Sequence, residues 1–132
     1  MSIDELKKQF LVDEDVVKER IENLLTKVLP HCVVDKKGTV HINDSKMSGP
    51  NKFKLVLCAR YLASQLDAKI SSAVPIADVE TSTGLPASQV RARAKDAVDC
   101  KFAETDSQGV YRAKPHKIEA FLDSLGSAAK KA

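Results

Sequence analysis

The side chains best suited to metal binding in this sequence are three cysteines and three histidines. Cys32, Cys58 and Cys100 form no Cys-x-x-Cys pair, and only His31 and Cys32 are adjacent. A zinc site would have to join Cys32 with His31 or His41, or with Cys58 or Cys100. Structural zinc sites normally have paired ligands at short loop spacing. Reduced, partly buried cysteines are therefore the simpler interpretation, and we predict no metal.

The sequence also lacks the groupings that catalysis commonly uses. None of His31, His41 and His116 has a carboxylate or nucleophile partner at a motif spacing. Neither a glycine-rich phosphate loop nor a nucleophile elbow is present. We therefore predict a protein that is not an enzyme and that uses no cofactor.

Polar and basic side chains are concentrated on one predicted helix, residues 86–99. At 100° per residue, its apolar positions cluster on the side that must face a core: Val90, Ala94, Ala97 and Val98. The opposite side carries Ser88, Gln89, Ala92, Lys95, Asp96 and Asp99. Arg91 and Arg93 flank the apolar stripe on opposite sides, so this helix is expected to present a free, largely polar face.

Length and composition indicate the class of protein to which this helix belongs. The chain has 132 residues, of which 43% are apolar and 30% charged. A domain of this length buries about 68% of the surface that its unfolded chain exposes, which is enough for a core. No apolar run approaches the roughly 20 residues that span a bilayer, and the first twenty residues are rich in charge, which argues against a signal peptide. We expect a soluble, cytoplasmic protein, associated with the nucleoid if the source is prokaryotic.

Helix signals dominate the N-terminal third of the chain. Ser2 and Glu5 form a capping box that predicts a short helix to about Phe10. Asp13 is expected to cap a second helix, which Pro30 ends. β-branched runs on either side of a glycine turn then predict a β-hairpin over residues 32–42.

The remaining sequence predicts a second helical segment built around an unusually apolar helix. Residues 46–51 are expected to be a linker, in which Gly49 and Pro50 place a new helix start near Pro50. The helix over about residues 52–67 is apolar on nearly every side, which indicates burial on more than one face. A short connector over residues 70–74 is expected to supply an edge strand. The later elements are a helix at 75–83, a left-handed turn at Gly84, the helix at 86–99, a hairpin at 101–114, and a helix from Pro115 to Gly126 followed by a flexible tail at 127–132.

This order of elements resembles the winged-helix family of helix-turn-helix domains over about residues 50–125. The resemblance rests on Ile76-Ala77-Asp78-Val79-Glu80, Thr83-Gly84-Leu85-Pro86, Ser88-Gln89-Val90 and the wing from Lys101 to Lys114. It implies a mostly α fold with small β-hairpins, in the α+β class, with a winged-helix domain at residues 52–126.

A degenerate second copy of the same unit is a further possibility over residues 2–45. Apolar positions of the two halves align in order when one gap is allowed: Ile3, Leu6, Leu11, Val16, Arg20 and Leu24 with Ile76, Val79, Leu85, Val90, Ala94 and Val98. Two such units would share the apolar central helix. The alternative is a single domain that carries an unrelated helix-helix-hairpin unit at residues 1–45.

The resemblance also implies a function and the residues that carry it. In a DNA-binding winged helix the second helix of the motif enters the major groove, which would place Ser88, Gln89, Arg91 and Ala92 nearest the base edges. The other DNA-binding residues would be Arg93 and the phosphate contacts Lys95, Lys101, Arg112 and Lys114. The protein would then be a transcriptional regulator or a chromosome-associated factor, and a homodimer by analogy.

The distribution of charge keeps a second function open. Residues 1–50 hold eight basic and nine acidic side chains, whereas residues 51–132 hold thirteen and nine, with Lys52, Lys54 and Arg60 on the central helix. The helix that follows Asp13 is acidic and should be repelled by phosphate, so the N-terminal unit is expected to brace the fold or to bind a protein partner.

Acidic residues also lie beside the predicted DNA-contacting surface. They are Asp96 and Asp99, together with Glu104 and Asp106 in the polar tip that is predicted over residues 104–109 of the hairpin. Arg91 has candidate ion-pair partners in Asp78 and Glu80 on the preceding helix. The alternative function is therefore a non-catalytic protein-protein interaction module with the winged-helix fold.

Overall fold

The computed structural model describes residues 2–3, 14–43, 46–105 and 109–131, and the side chains of residues 14–18 and 126–131 are not considered. Residues 4–10 of the predicted N-terminal helix, the proposed cap Asp13 and Asp106 in the second hairpin lie outside the described residues. The first half of the proposed repeat therefore remains a prediction.

The described chain belongs to the α+β class, with five helices and two small antiparallel sheets. The elements in chain order are α1 (Glu14–Val28), β1 (Cys32–Val34), β2 (Val40–Ile42), α2 (Gly49–Leu66), β3 (Val74–Pro75), α3 (Ile76–Thr83), α4 (Ala87–Asp99), β4 (Ala103–Thr105), β5 (Val110–Ala113) and α5 (Pro115–Lys131).

Both predicted hairpins are confirmed as antiparallel strand pairs. In the first, β1 pairs with β2, and the turn closes because the Asp35 carboxylate accepts the N–H groups of Lys37 and Thr39. Gly38 supplies the left-handed residue of this turn, with φ of 87°. The second sheet has the order β3–β5–β4. Its edge strand β3 spans two residues, which is shorter than the predicted strand at 70–74.

The central helix α2 begins earlier than predicted. Residues 46–51 were expected to be a linker, but the helix starts at Gly49, with Pro50 in its first turn. The reason is local, because the Ser48 hydroxyl accepts the N–H of Asn51 at 3.4 Å and so caps the helix. The apolar sequence of α2 is buried as predicted, and the fully buried Phe53 is one of its largest side chains. Among the described residues, no helix combines the length and the hydropathy that crossing a bilayer requires.

The turn between α3 and α4 has the predicted geometry. Gly84 is left-handed, with φ of 75°, and its N–H donates to the carbonyl of Glu80. The Thr83 hydroxyl accepts the N–H of Leu85 at 3.1 Å, which holds the chain as it leaves α3. These contacts fix the direction in which α4 departs.

The last helix, α5, does not end where the sequence suggested. The prediction that Gly126 stops the helix is wrong, because α5 continues to Lys131. The flexibility of residues 127–132 stays a prediction. A glycine inside a helix costs only about 1 kcal/mol relative to alanine. The following residues include Ala128, Ala129 and Lys130, which have high helix propensity and allow the helix to continue.

A single hydrophobic core joins the two halves of the chain around α2. Helix α2 contacts α1, β1 and β2 from the first half of the chain and α3, α4, β5 and α5 from the second half, and α1 also contacts α5. The core contains Leu24, Val28, Cys32 and Val40 from the first half together with residues of every later helix. Packing against elements of both halves explains why α2 is apolar all round.

Candidate nucleic-acid interface

Helix α4 divides cleanly into a buried and an exposed face. Val90, Ala94 and Ala97 are buried, at 0–1% exposure, against the neighbouring helices α2 and α3. The predicted core side of this helix is therefore confirmed, with Val98 half-buried at its margin. The opposite side is open to solvent.

The predicted base-contacting residues share this exposed side. Ser88, Gln89, Arg91 and Ala92 are exposed near the N-terminal end of α4, and Lys95 is exposed one turn further on. Ser88, Ala92 and Lys95 are spaced four and three residues apart, so they form one stripe along the helix. A ligand that contacts α4 from solvent meets hydroxyl, amide and cationic groups within a short distance.

The exposed side of α4 also borders an open cleft of about 420 Å³. Its lining residues are Ser88, Gln89, Ala92 and Arg93 from α4 and Gly49 and Pro50 from α2. The cleft thus adjoins the N-terminus of α2, where the helix dipole carries partial positive charge. The Gly49-Pro50 pair predicted a helix start near Pro50, but their position beside α4 was missed, because a local pattern does not report which distant element packs beside it.

The two arginines of α4 have different surroundings. Arg93 is half-buried, and its Nη2 lies 3.4 Å from Asp96 Oδ2 one turn along the helix. Arg91 is exposed and, among the described residues, forms no ion pair. The predicted alternative of an ion pair from Arg91 to Asp78 is wrong, because Asp78 binds Arg60, and Glu80 does not pair with Arg91 either.

The cations of the second hairpin differ from one another in exposure and in their neighbours. Lys101 is exposed and left-handed, with φ of 66°, immediately after α4. Arg112 is half-buried and lies directly opposite Glu104 in the register of β4 and β5. Cross-strand neighbours of this kind interact, so the carboxylate offsets the charge of Arg112. Lys114 is half-buried, and its backbone N–H donates to the carbonyl of Phe102 at 2.9 Å.

Glu104 itself lies in a strand and not in the hairpin tip. The sequence suggested a polar tip from Glu104 to Gly109, but β4 extends through Thr105. Pairing of Ala103 with Ala113 and of Thr105 with Tyr111 sets this longer strand. The acidic Glu104 is therefore held on the face of the sheet that also carries Arg112.

Of the three cations predicted on the central helix, Arg60 is not on the surface. Its side chain is 7% exposed, and its Nη1 lies 3.0 Å from Asp78 Oδ2. The guanidinium also donates to the carbonyls of Ser71 at 2.9 Å, Gly38 at 3.3 Å and Ala73 at 3.5 Å. Arg60 therefore ties the first hairpin, the connector after α2 and helix α3 to one another.

A second contact supports this junction. The backbone N–H of Val40 in β2 donates to the hydroxyl of Ser82 in α3 at 3.0 Å. The helix that precedes α4 is thus attached to the N-terminal hairpin as well as to α2. The sequence signal for Arg60 was its position within an apolar stretch, Leu57-Cys58-Ala59 before it and Tyr61-Leu62-Ala63 after it.

The cysteines and histidines do not assemble into a metal centre within the described chain. No group of three His, Cys, Asp or Glu side chains there is placed to hold a metal ion. Burial raises the pKa of the Cys32 thiol to about 12 and that of Cys58 well above its usual value, which disfavours the thiolate that zinc requires. His41 instead binds Asp35 at 2.9 Å, and this hydrogen bond lowers the pKa of the Asp35 carboxyl.

In comparisons with known proteins, no family model matches this sequence, and no curated protein or solved structure matches it.

Proposed function

We propose that this chain is a winged-helix protein that binds duplex DNA with α4 in the major groove. The observation that carries the proposal is the exposed face of α4, on which Ser88, Gln89, Arg91 and Lys95 are all open to solvent. The buried face is held by small and β-branched side chains, so the helix is rigidly supported while its polar side is free.

The arrangement of the other elements supports this proposal. Helix α2, strand β3, helix α3, the turn at Gly84, helix α4 and the β4–β5 hairpin follow one another in the order of a winged helix. Strand β3 pairs with β5 and so links the first part of the motif to its wing. A helix-turn-helix needs a small residue at its turn and an apolar contact between its helices, and Gly84 and Leu85 meet these needs.

Each exposed residue of α4 has a distinct expected role in DNA binding. Gln89 can form two hydrogen bonds with adenine, and Arg91 can do the same with guanine. Ser88 can bond either kind of edge, and Ala92 can contact a thymine methyl group. Each good bidentate contact discriminates against the wrong base by about 1–3 kcal/mol.

The phosphate contacts are expected to come mainly from cations that form no ion pair among the described residues. Lys95 and Lys101 are exposed, and Lys114 is half-buried next to β5. Arg93 and Arg112 contribute less, because Asp96 pairs with the first and Glu104 lies opposite the second. The wing is therefore expected to supply more of the phosphate contacts, and α4 the contacts to bases. A regulatory or chromosome-associated role, with two copies on one site, would follow from this mode of binding.

Binding to random-sequence duplex DNA is expected to weaken steeply with salt. About four to six phosphate contacts predict a slope of about −4 to −5 in a plot of log affinity against log salt concentration. Fluorescence anisotropy of a labelled duplex of about two helical turns, titrated at several salt concentrations, measures this slope. Absence of binding at low salt would contradict the proposal.

Two substitutions on α4 should separate base reading from phosphate contact. Lys95→Ala is expected to weaken binding to all sequences equally and to make the salt slope shallower by about 1. Arg91→Ala is expected to cost about 1–3 kcal/mol on a selected, preferred duplex and to relax the choice of base at one position. Selection from a random duplex library followed by anisotropy measures both effects.

Lys69→Ala is the matched control for these variants. Lys69 is an exposed cation beyond the C-terminal end of α2, whereas the cleft beside α4 adjoins the N-terminal end of that helix. It should leave both affinity and slope unchanged. Equal losses in the Lys69 and Lys95 variants would indicate that net charge, and not α4, governs binding.

The alternative function is a non-catalytic protein-interaction module. The observation that favours it is the pair of exposed carboxylates on α4, Asp96 and Asp99, which lie on the solvent side of the helix with Lys95 and would repel phosphate. The salt titration distinguishes the two functions, because an interaction module with no affinity for phosphate gives no signal at low salt.

A further inference from the structure

An apolar groove of about 340 Å³ lies beside the C-terminal half of α2. Its floor is formed by buried side chains that include Cys32 and Leu62, at 2% and 1% exposure. Its rim is formed by Leu29, Val33 and Leu66, at 60%, 51% and 65% exposure. We call this feature, which α1, β1 and α2 enclose, the α2 groove.

The α2 groove concentrates the apolar exposure of the molecule. Leu29, Val33 and Leu66 are three of the four exposed large hydrophobic side chains among the described residues, and the fourth is Ile3. Scattered exposed hydrophobics are ordinary, but a contiguous apolar concavity usually marks a binding surface. The groove therefore has the character of a ligand site.

The charge that lines the groove is negative. Among the described residues, Asp67 is the single charged residue in the lining, and no cationic side chain there lines the groove. The Asp67 carboxylate accepts the N–H of Lys69 at 3.0 Å and forms no ion pair in the described chain. Helix α2 ends at Leu66, so its C-terminal carbonyl groups add partial negative charge at the same end.

The size of the groove favours a small molecule over a protein partner. Its volume is near the lower end of the roughly 300–1,000 Å³ of small-molecule sites. A stable protein-protein interface involves about 20–30 residues on each side. A rim of three exposed apolar side chains is far short of that number.

We propose that the α2 groove binds a small amphiphile with an apolar body and a cationic, ammonium-type head. The apolar body occupies the space over Cys32 and Leu62, and the head lies next to Asp67. An anionic amphiphile of the same length is disfavoured, because its head would meet a carboxylate and the negative end of a helix. Asp67, beside which the head group lies, is at the opposite end of α2 from Pro50 in the cleft beside α4, about 26 Å along the helix at 1.5 Å per residue.

The test uses three probes of equal chain length on the full-length protein. They are n-decylammonium, n-decanol and n-decanoate, each kept below the concentration at which it aggregates. Isothermal titration gives the affinities, and two-dimensional amide NMR gives the location. We expect chemical-shift changes around Val33 and Leu66, and decylammonium to bind about three- to fivefold more tightly than decanol, as an exposed ion pair provides. Decanoate should bind more weakly than decanol.

Two exposed positions give variants that should fold normally. Asp67→Asn should bring the affinity of decylammonium to within about twofold of that of decanol, because it removes the carboxylate whose ion pair produces the preference for the ammonium head. Leu66→Ser should weaken all three probes. Glu19→Gln, which removes an exposed carboxylate near the other end of α1, is the matched control and should change nothing.

Several results would overturn the proposal. Equal affinities for all three probes, or an ammonium preference that survives in Asp67→Asn, would show that Asp67 does not select the head group. Shifts located away from the α2 groove would remove the site. A concentration-dependent dimer that Leu66→Ser abolishes would show that a second copy occupies the groove. DNA binding is independent of each of these results.

Discussion

Replacing Arg60 with alanine is expected to lower the free energy of unfolding by about 2–3 kcal/mol, because backbone carbonyl groups that the guanidinium satisfies are left without a donor. The substitution removes an ion pair and three donors to backbone carbonyls in one step. It also removes the packed stem of a side chain that is 7% exposed. Urea denaturation followed by circular dichroism measures the change as a shift in midpoint at constant slope.

Matched variants separate the parts of this effect. Asp78→Asn removes the partner charge, but Asp78 is about half exposed, so a loss of no more than about 1 kcal/mol is expected. Arg60→Met keeps much of the apolar stem and should lie between the two. A loss below 1 kcal/mol for Arg60→Ala would contradict the view that this guanidinium holds the hairpin, the connector and α3 together.

Deleting residues 1–45 is expected to abolish cooperative folding of what remains. The deletion removes Leu24, Val28, Cys32 and Val40, which are 1–6% exposed in the core, and uncovers one side of α2. Burying a large apolar side chain contributes about 1.5–3 kcal/mol, and a domain has only about 5–15 kcal/mol in total. Thermal unfolding and amide NMR dispersion of residues 46–132 measure the outcome.

A point substitution provides a graded version of the same experiment. Leu24→Ala leaves the chain complete and should destabilise it by about 2–5 kcal/mol, as for other buried leucines. Cooperative unfolding of residues 46–132 on their own would contradict the expected result of the deletion. It would establish the C-terminal part as an autonomous domain.

Local patterns in the sequence were sufficient for the elements that carry the candidate interface. The apolar spacing of Val90, Ala94 and Ala97 identified the buried side of α4, and therefore its exposed side. Gly84 marked the turn, and two glycine-containing stretches marked the hairpins. These features depend on residues a few positions apart, so periodicity and turn chemistry predict them.

Local sequence signals gave inexact helix boundaries where the weak conformational preference of one residue competed with the preferences of its neighbours. Gly126 suggested the end of α5, but the helix-favouring residues after it outweighed the cost of one glycine. The cap formed by Ser48 moved the start of α2 to Gly49. That shift brought Gly49 and Pro50 into the cleft beside α4.

The sequence by itself determined which side of each helix is apolar, where the hairpins turn and where the positive charge is enriched. Only the tertiary structure decided that the buried Arg60 connects separate elements, since its partners Asp78 and Gly38 are 18 and 22 positions away. The same holds for the α2 groove, which three separate elements enclose. Periodicity reports what one element exposes, whereas a side chain's surroundings depend on which distant elements pack beside it.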